Sequence, residues 1–275
     1  MVSQLSPEKT NELIAQRENW FHTIDFGNGV RSPGIVPWEY EQQLLEYFGL
    51  PERLDGKRVL DIGTYDGFFA FECERRGASE VVAIDVNPAD RYCFQVAHDI
   101  LGSKVQFHHM SVYELDAEKL GGKFDLVMFP GVFYHLRHIV LSLDNIWSVI
   151  KDDGEMIMET HVCDQHFVLG DGTVTKLESI DSRLKETPLF RFYRRNELAA
   201  ADWSNWFGGN VAAISDCLGS AGFESRLLAT WSSRAAFHAK KNPTLPREWE
   251  KGSYEGIKFV YQPDGTWSVV WHPPT

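Results

Sequence analysis

From Lys57 onward, short apolar runs alternate with stretches of helical periodicity. The runs "RVLDI" (58–62), "VVAIDV" (81–86), "KVQFHHM" (104–110), "FDLVMF" (124–129) and "EMIMET" (155–160) predict five strands. Between them, "FFAFECERRGA", a longer segment ending at Leu101, and "LSLDNIWSVIK" (141–151) predict helices. Such alternation defines βαβ units and parallel strands. Beyond a Gly-, Asp- and Thr-rich stretch (161–187), "NVAAISDCLGSAGF" (210–223) has helical spacing and a glycine near its end. "SRLLAT" and "RAAFHAK" then predict an antiparallel edge on the otherwise parallel sheet. Seven strands are expected in all.

The pattern is different at the two ends. Residues 1–56 predict a helical approach, with Ser6, Pro7 and Glu8 as cap and first turn of "SPEKTNELIAQREN". The aromatic, Gly/Pro-rich segment "WFHTIDFGNGVRSPGIVPW" (20–38) predicts a shaped loop or short hairpin that covers a ligand site. The tail "GIKFVYQPDGTWSVVW" (256–271) carries two alternating runs around Pro263, Asp264 and Gly265, a hairpin signal. The expected organisation is a cover over 1–56, a main domain over 57–240 with a lid insertion at 161–209, and an extension over 241–275. There is no internal repeat.

Composition narrows the partners. With 27 Lys+Arg against 39 Asp+Glu, the formal charge is -12, which opposes a broad grip on a phosphate backbone. Nucleic acid is therefore a disfavoured partner. Cys73, Cys93, Cys163 and Cys217 form no C-x-x-C pair, so neither a disulfide framework nor a zinc ribbon is expected and a reducing, cytoplasmic setting fits. No apolar stretch of signal-peptide or membrane-spanning length is found, so neither export nor membrane association is expected.

The candidate chemistry begins at "VLDIGTYDGFF" (59–69). A strand-to-helix glycine turn in the first βαβ unit places a ligand at the carboxyl ends of the strands. A dinucleotide fingerprint needs a middle glycine where the pyrophosphate approaches the backbone, and here Tyr65 stands between Gly63 and Gly67. The turn therefore favours a nucleoside without phosphates. Asp85 ends the second strand near the spacing of a ribose-binding carboxylate. S-adenosylmethionine meets both conditions, and its sulfonium is compatible with Asp61 and Asp66. Glycine turns and strand-end aspartates also serve many α/β folds purely as turns and caps. In "HHMSVYEL", Ser111 suits an adenine amino group, with Val112 and Tyr113 against the ring, although strand-end packing accounts for them equally.

These residues resemble the class I S-adenosylmethionine-dependent methyltransferases, and more narrowly the group that includes the tRNA wobble-uridine carboxymethyltransferases. The segment "FDLVMFPGVFYHLRHIVLSLDNIWSVIKDDGEMIMET" (124–160) is similar to that group's fourth-strand region, and "FRFYRRNELAAADWSNWFGGNVAAISDCLGSAGF" (190–223) to its aromatic lid. The resemblance covers roughly 20–240. It implies a Rossmann-like α/β fold with helices on both faces of a mostly parallel seven-stranded sheet. It also implies a donor site of Asp61, Gly63, Thr64, Gly67, Asp85, Val86, Ser111 and Val112, with Phe129, Pro130 and Gly131 as a floor under the methionine moiety. Tyr134 would face the transferred group, followed by His135 and Arg137. One departure bears on the donor: a lysine before the glycine turn helps bind the carboxylate of carboxy-S-adenosylmethionine in those relatives, and "VPWEYEQQLLEYF" has no Lys or Arg. Plain S-adenosylmethionine is the expected donor.

For methyl transfer to a hydroxyl, His135 is the first candidate base because its reference pKa lies near neutrality; a packing or capping role for this histidine weighs equally. Trp38, Tyr134, Arg137, Tyr193 and Trp206 are the candidate acceptor-binding residues. Trp20, Phe21, Phe190, Phe192, Trp203 and Phe207 add aromatic surface to the two covers, or pack against the sheet. His135 and His138 lack a third ligand at regular spacing, so no metal site is expected. The expected function is methyl transfer to a small-molecule acceptor, with an RNA-modifying enzyme and a non-catalytic nucleoside-binding protein as alternatives.

Overall fold

The structure is a computed structural model that describes residues 3–194, 197–198, 202, 204–244, 257–261 and 267–271. Residues 1–241 and 242–275 form two compact units. In the first unit the chain builds a seven-stranded sheet: β1 (Arg58–Ile62), β2 (Glu80–Asp85), β3 (Gln106–His109), β4 (Phe124–Pro130), β5 (Ile150–His161), β6 (Phe223–Trp231) and β7 (Arg234–Lys241). Their order across the sheet is β6-β7-β5-β4-β1-β2-β3. All neighbours run parallel except at β7, which is antiparallel to both β5 and β6. The chain reverses direction across the sheet between β1 and β4, the switch point at which open α/β sheets bind ligands.

Period-two alternation divides each strand between two cores. Val59, Val81, Ala83, Leu126, Met128 and Ile157 pack on one face of the sheet, and Leu60, Ile62, Val82, Ile84, Val127, Phe129, Met156 and Met158 on the other. Because both faces are covered, strands such as "VVAID" read as unbroken apolar runs rather than as alternations. The first face is covered by α1 (Pro7–Ile14), α2 (Trp38–Tyr47), α3 (Phe68–Arg75) and α4 (Phe94–Leu101). The second face carries α5 (Ile139–Val149) and, after the short helix α6 (Leu177–Ile180), α7 (Val211–Ser220). The Ser6 side chain caps α1 by accepting from the Lys9 amide, as its Ser-Pro-Glu start predicts.

The segment ahead of the sheet is an integral layer of the first unit. Trp20, Ile24, Phe26 and Val30 are buried in the first core, and Asp25–Gly27 pairs with Val30–Arg31 as the expected short hairpin. Its closeness depends on Gly34, where a Cβ would sit 2.2 Å from the His22 carbonyl carbon. Between β5 and α7 the chain forms the lid, with strands Phe167–Val168 and Val174–Thr175 paired to each other and Phe190–Phe192 paired to Phe207–Gly209. Residues 151–154 interrupt the register between β4 and β5, which resumes at Glu155, where the sequence predicts the strand to begin. In the second unit, Ile257–Tyr261 and Trp267–Trp271 pair antiparallel, the hairpin expected around Pro263–Gly265. Among the described residues no helix is long and apolar enough to cross a membrane.

Candidate active site

The loop after β1 turns through left-handed backbone at Gly63 (φ 73°), Tyr65 (φ 53°) and Gly67 (φ 95°). Glycine adopts this region freely, whereas a residue with a Cβ does so only under support from its surroundings. At Tyr65 that support is visible: its amide donates to Asp85 Oδ2 at 3.0 Å, and its ring stacks on Tyr92 with centroids 3.9 Å apart. A phenol therefore stands where a dinucleotide turn keeps a glycine. The amides of Gly63 and Thr64 donate to the Ile84 carbonyl, so the turn is fastened to the end of β2. A Cβ on Gly63 would lie 2.4 Å from Val132 Cγ2, which brings the end of β4 against the same turn.

Asp85 is the last residue of β2. One oxygen receives Tyr65 N–H at 3.0 Å and the other both the Asn87 amide at 2.8 Å and the Asn87 side-chain N–H at 3.1 Å, so Oδ2 is the oxygen left with acceptor capacity for a ribose hydroxyl. On the neighbouring strand, Asp61 is 1% exposed; the buried Thr64 hydroxyl and the Ala70 amide approach its carboxylate without closing a well-formed hydrogen bond. Burial pushes the Asp61 pKa up to about 7. Unsatisfied buried polar atoms beside a binding turn mark a place where a polar ligand completes the hydrogen bonding. The residues present thus fit a donor that has a free ribose and a cationic amino-acid end.

Asp66 does not serve that cation, contrary to the expectation from sequence. It accepts from the amides of Phe21 (3.0 Å) and His22 (2.8 Å), and its other oxygen lies 2.5 Å from His22 Nδ1. These contacts fasten the N-terminal cover to the glycine turn. Burial disfavours protonation of His22, but the adjacent Asp66 charge outweighs it and holds its pKa above the ordinary value. Glu41 of α2 is fully buried; the Thr23 amide and His22 face its carboxyl, but desolvation outweighs them and raises its pKa to about 7.

The remaining donor-site expectations divide by burial. Gly131 lies just past β4, with its amide on the Glu159 carbonyl, and Val86 is 64% exposed. Phe129 is fully buried in the second core and packs on Phe133. The pleat turns its ring away from any open floor, so its contribution is limited to backbone. Val112 is also buried. The Ser111 hydroxyl already accepts from the Tyr113 amide, in a capping box with Glu114, and is therefore first a turn-former.

The acceptor-side residues converge beneath the lid. Trp206 N–H donates to the Tyr134 carbonyl and its own carbonyl receives Tyr193 N–H, while Arg137 lies over the Trp206 ring, 4.4 Å from its centroid. His135 Nδ1 is 2.8 Å from Ser204 Oγ, which in turn donates to Asp202 Oδ1 at 2.5 Å. With Nδ1 protonated, this chain leaves Nε2 as the lone-pair nitrogen. Burial lowers the His135 pKa below its ordinary value. Trp38 lies apart from this group, at the start of α2 under Arg31 at 4.3 Å. Trp203 lies outside the described residues.

Several site residues carry no local sequence signal. Glu159 holds Arg234 through two hydrogen bonds, and Arg234 lies 4.7 Å from the Tyr134 ring centroid. Burial raises the Tyr134 pKa. His161, the final residue of β5, pairs with the Tyr193 hydroxyl at 2.9 Å. The pairings span 32 to 75 residues, and only the fold brings them together.

A parallel sheet of this order, with a glycine turn and a strand-end carboxylate at its switch point, defines the Rossmann-like class I methyltransferase fold, whose cofactor is S-adenosylmethionine. Residues 38–225 match the Methyltransferase domain family, and the chain belongs to that family. It is 34% identical over 118 residues to a tRNA U34 carboxymethyltransferase of Pseudomonas fluorescens, covering 42% of this chain and 37% of that one. A tRNA U34 carboxymethyltransferase of Aeromonas salmonicida is 30% identical over 169 residues, covering 59% and 49%. The chain thus spans less than half the length of these curated relatives. Among solved structures, the N-terminal domain of EvdMO1 with SAH bound superimposes with a TM-score of 0.60 at 18% identity, covering 86% of this chain and 98% of that one. A putative S-adenosylmethionine-dependent methyltransferase from Listeria monocytogenes gives 0.54 at 13% identity, covering 75% and 100%.

Asp85→Ala is expected to weaken S-adenosylhomocysteine binding about 10- to 100-fold, the scale of losing one or two hydrogen bonds to a charged acceptor. Calorimetry on the folded variant checks this; unchanged affinity would place the ribose elsewhere.

Proposed function

We propose that the protein transfers a methyl group from S-adenosylmethionine to a hydroxyl oxygen of a small-molecule acceptor, in secondary or sugar metabolism. The observation that carries this reading is the Asp202–Ser204–His135 chain, which sets a neutral imidazole beside Tyr134 under the lid. When bound, S-adenosylmethionine supplies an electrophilic methyl group on a sulfonium. Asp85 holds the ribose, and Asp61 balances positive charge at the turn. His135 takes the acceptor's hydroxyl proton at Nε2. The lid aromatics exclude water and hold the acceptor in reach, which is the main contribution a protein makes to an in-line displacement.

A second reading, methylation or carboxymethylation of tRNA, is favoured by the similarity to tRNA U34 carboxymethyltransferases. Against it stands the formal charge of -12, because phosphate contacts need basic surface. Transfer of labelled methyl from S-adenosylmethionine to the small-molecule and RNA fractions of a cell extract separates the two. Label in the small-molecule fraction alone is expected, and label confined to RNA would replace the first reading by the second. Carboxy-S-adenosylmethionine is expected to bind no better than S-adenosylmethionine in a competition titration, since the buried ionisable groups around the turn include Asp61, Asp66, Asp85 and Glu41 beside His22; a marked preference for the carboxylated donor would contradict this.

A further inference from the structure

Beneath the lid lies a cavity of about 260 Å³, lined by residues that include His161, His166, Val168, Val174, Arg191 and Tyr193. It opens beside the ends of β5 and β7, one strand further from Asp85 than Tyr134. The His161 and Tyr134 rings are 6.2 Å apart, so the cavity adjoins the residue that follows the β4 floor. His161 is 3% exposed and hydrogen-bonds the Ser233 backbone carbonyl as well as the Tyr193 hydroxyl. With one ring nitrogen donating to that carbonyl, Nε2 accepts the Tyr193 O–H, which leaves the Tyr193 oxygen as the acceptor held at the cavity wall. A Cβ on Gly208 would come within 2.8 Å of His161 Nε2 and 2.9 Å of the Tyr193 hydroxyl. The lid strand can lie over this pair only because position 208 has no side chain.

The chemistry of the wall selects an occupant. The Arg191 guanidinium is neutralised by Glu197 at 2.6 Å and also donates to the Val168 carbonyl, so it is not waiting for a phosphate or carboxylate. Val168 and Val174 supply apolar surface, and His161 with Tyr193 supplies hydroxyl-matching groups. The volume is a little below that of ordinary ligand pockets, about 300–1,000 Å³, and suits one ring rather than a nucleotide.

We propose that this cavity is the acceptor subsite, that its ligand is a single uncharged, hydroxylated ring, and that the Tyr193 oxygen, its own proton held by His161 Nε2, anchors the ring by accepting a hydrogen bond from one of its hydroxyls. The proposal rests on the methyltransferase reading above and specifies its substrate class. His161 here is a positioning residue for Tyr193, distinct from the base His135. Burial and the nearby Arg234 charge lower the His161 pKa to about 4, which keeps Nε2 an acceptor throughout the neutral range.

The test uses the full chain, methyl-labelled S-adenosylmethionine, and five probes: D-glucose, D-fucose, catechol, glucose 6-phosphate and bulk tRNA. Val174 is 57% exposed, so Val174→Trp fills the cavity without disturbing a core. Label is expected on an uncharged ring and not on glucose 6-phosphate or tRNA. Val174→Trp should raise that acceptor's KM at least tenfold while the S-adenosylhomocysteine Kd stays within twofold. His161→Gln, which keeps a side-chain acceptor, should retain more of the KM than His161→Leu. Unchanged KM in Val174→Trp, label on the phosphorylated ring or tRNA alone, or no label on any probe despite S-adenosylhomocysteine binding would overturn the assignment. Absence of S-adenosylhomocysteine binding in the wild-type protein would instead overturn the methyltransferase reading, and this inference with it.

Discussion

His135→Ala is expected to lower kcat by about 10²- to 10⁴-fold, the usual contribution of a positioned general base, with donor affinity left within twofold. The size follows from the arrangement around the ring. Ser204 Oγ at 2.8 Å and Asp202 behind it fix one nitrogen, as a carboxylate-backed histidine is fixed in other hydrolytic and transfer sites. Burial holds the imidazole below its ordinary pKa, so the ring is neutral at pH 7. The acid limb of the kcat profile should accordingly fall below pH 6.5, and Ser204→Ala should reduce kcat less than His135→Ala because it removes only the orientation. Steady-state kinetics with any acceptor found in the extract screen measures all three. A His135→Ala enzyme with full kcat would remove the base assignment while leaving the fold and donor site untouched.

The strands of the sheet are legible in sequence because they are buried on both faces and therefore nearly uninterrupted in apolar character; β1 occupies the predicted 58–62. The antiparallel edge follows from the two adjacent strand-like runs, and the terminal hairpin from turn chemistry around residues 263–265. The glycine turn is legible as well, since its conformation is written in Gly63 and Gly67. What the sequence does not reveal is which polar groups are already occupied. Asp66 looks available for a cation, yet the amides and ring of a segment 44 and 45 residues earlier take both its oxygens. Phe129 looks like a floor residue, but its ring is committed to the second core against Phe133. His161 goes unnoticed because its partner Tyr193 is 32 residues away.

Stability is expected to fall as pH rises from about 5 to 8, and Glu41→Gln is expected to flatten that fall. Glu41 is fully buried, and desolvation, outweighing the Thr23 amide and His22, raises its pKa to about 7. A carboxyl raised in this way keeps its proton in the folded chain after the unfolded chain has released it, so its contribution is intact below about 4.5 and is lost as pH passes through about 7. From 4.5 to about 7, the loss is on the order of 3 kcal/mol. Asp61, raised to about 7 from 3.8 by burial, acts in the same direction. So does His22: its pKa is raised by Asp66, so the stability from that pair is complete below about 6.5 and declines as pH passes its folded value. Three neighbouring groups therefore weaken the attachment of the N-terminal cover together on the alkaline side. Thermal unfolding at pH 5.5 and 8 should show a lower Tm at pH 8 for the wild type, with the gap narrowed by Glu41→Gln. An undiminished gap in the variant would show that the Glu41 carboxyl is solvated and that the buried cluster does not govern the cover.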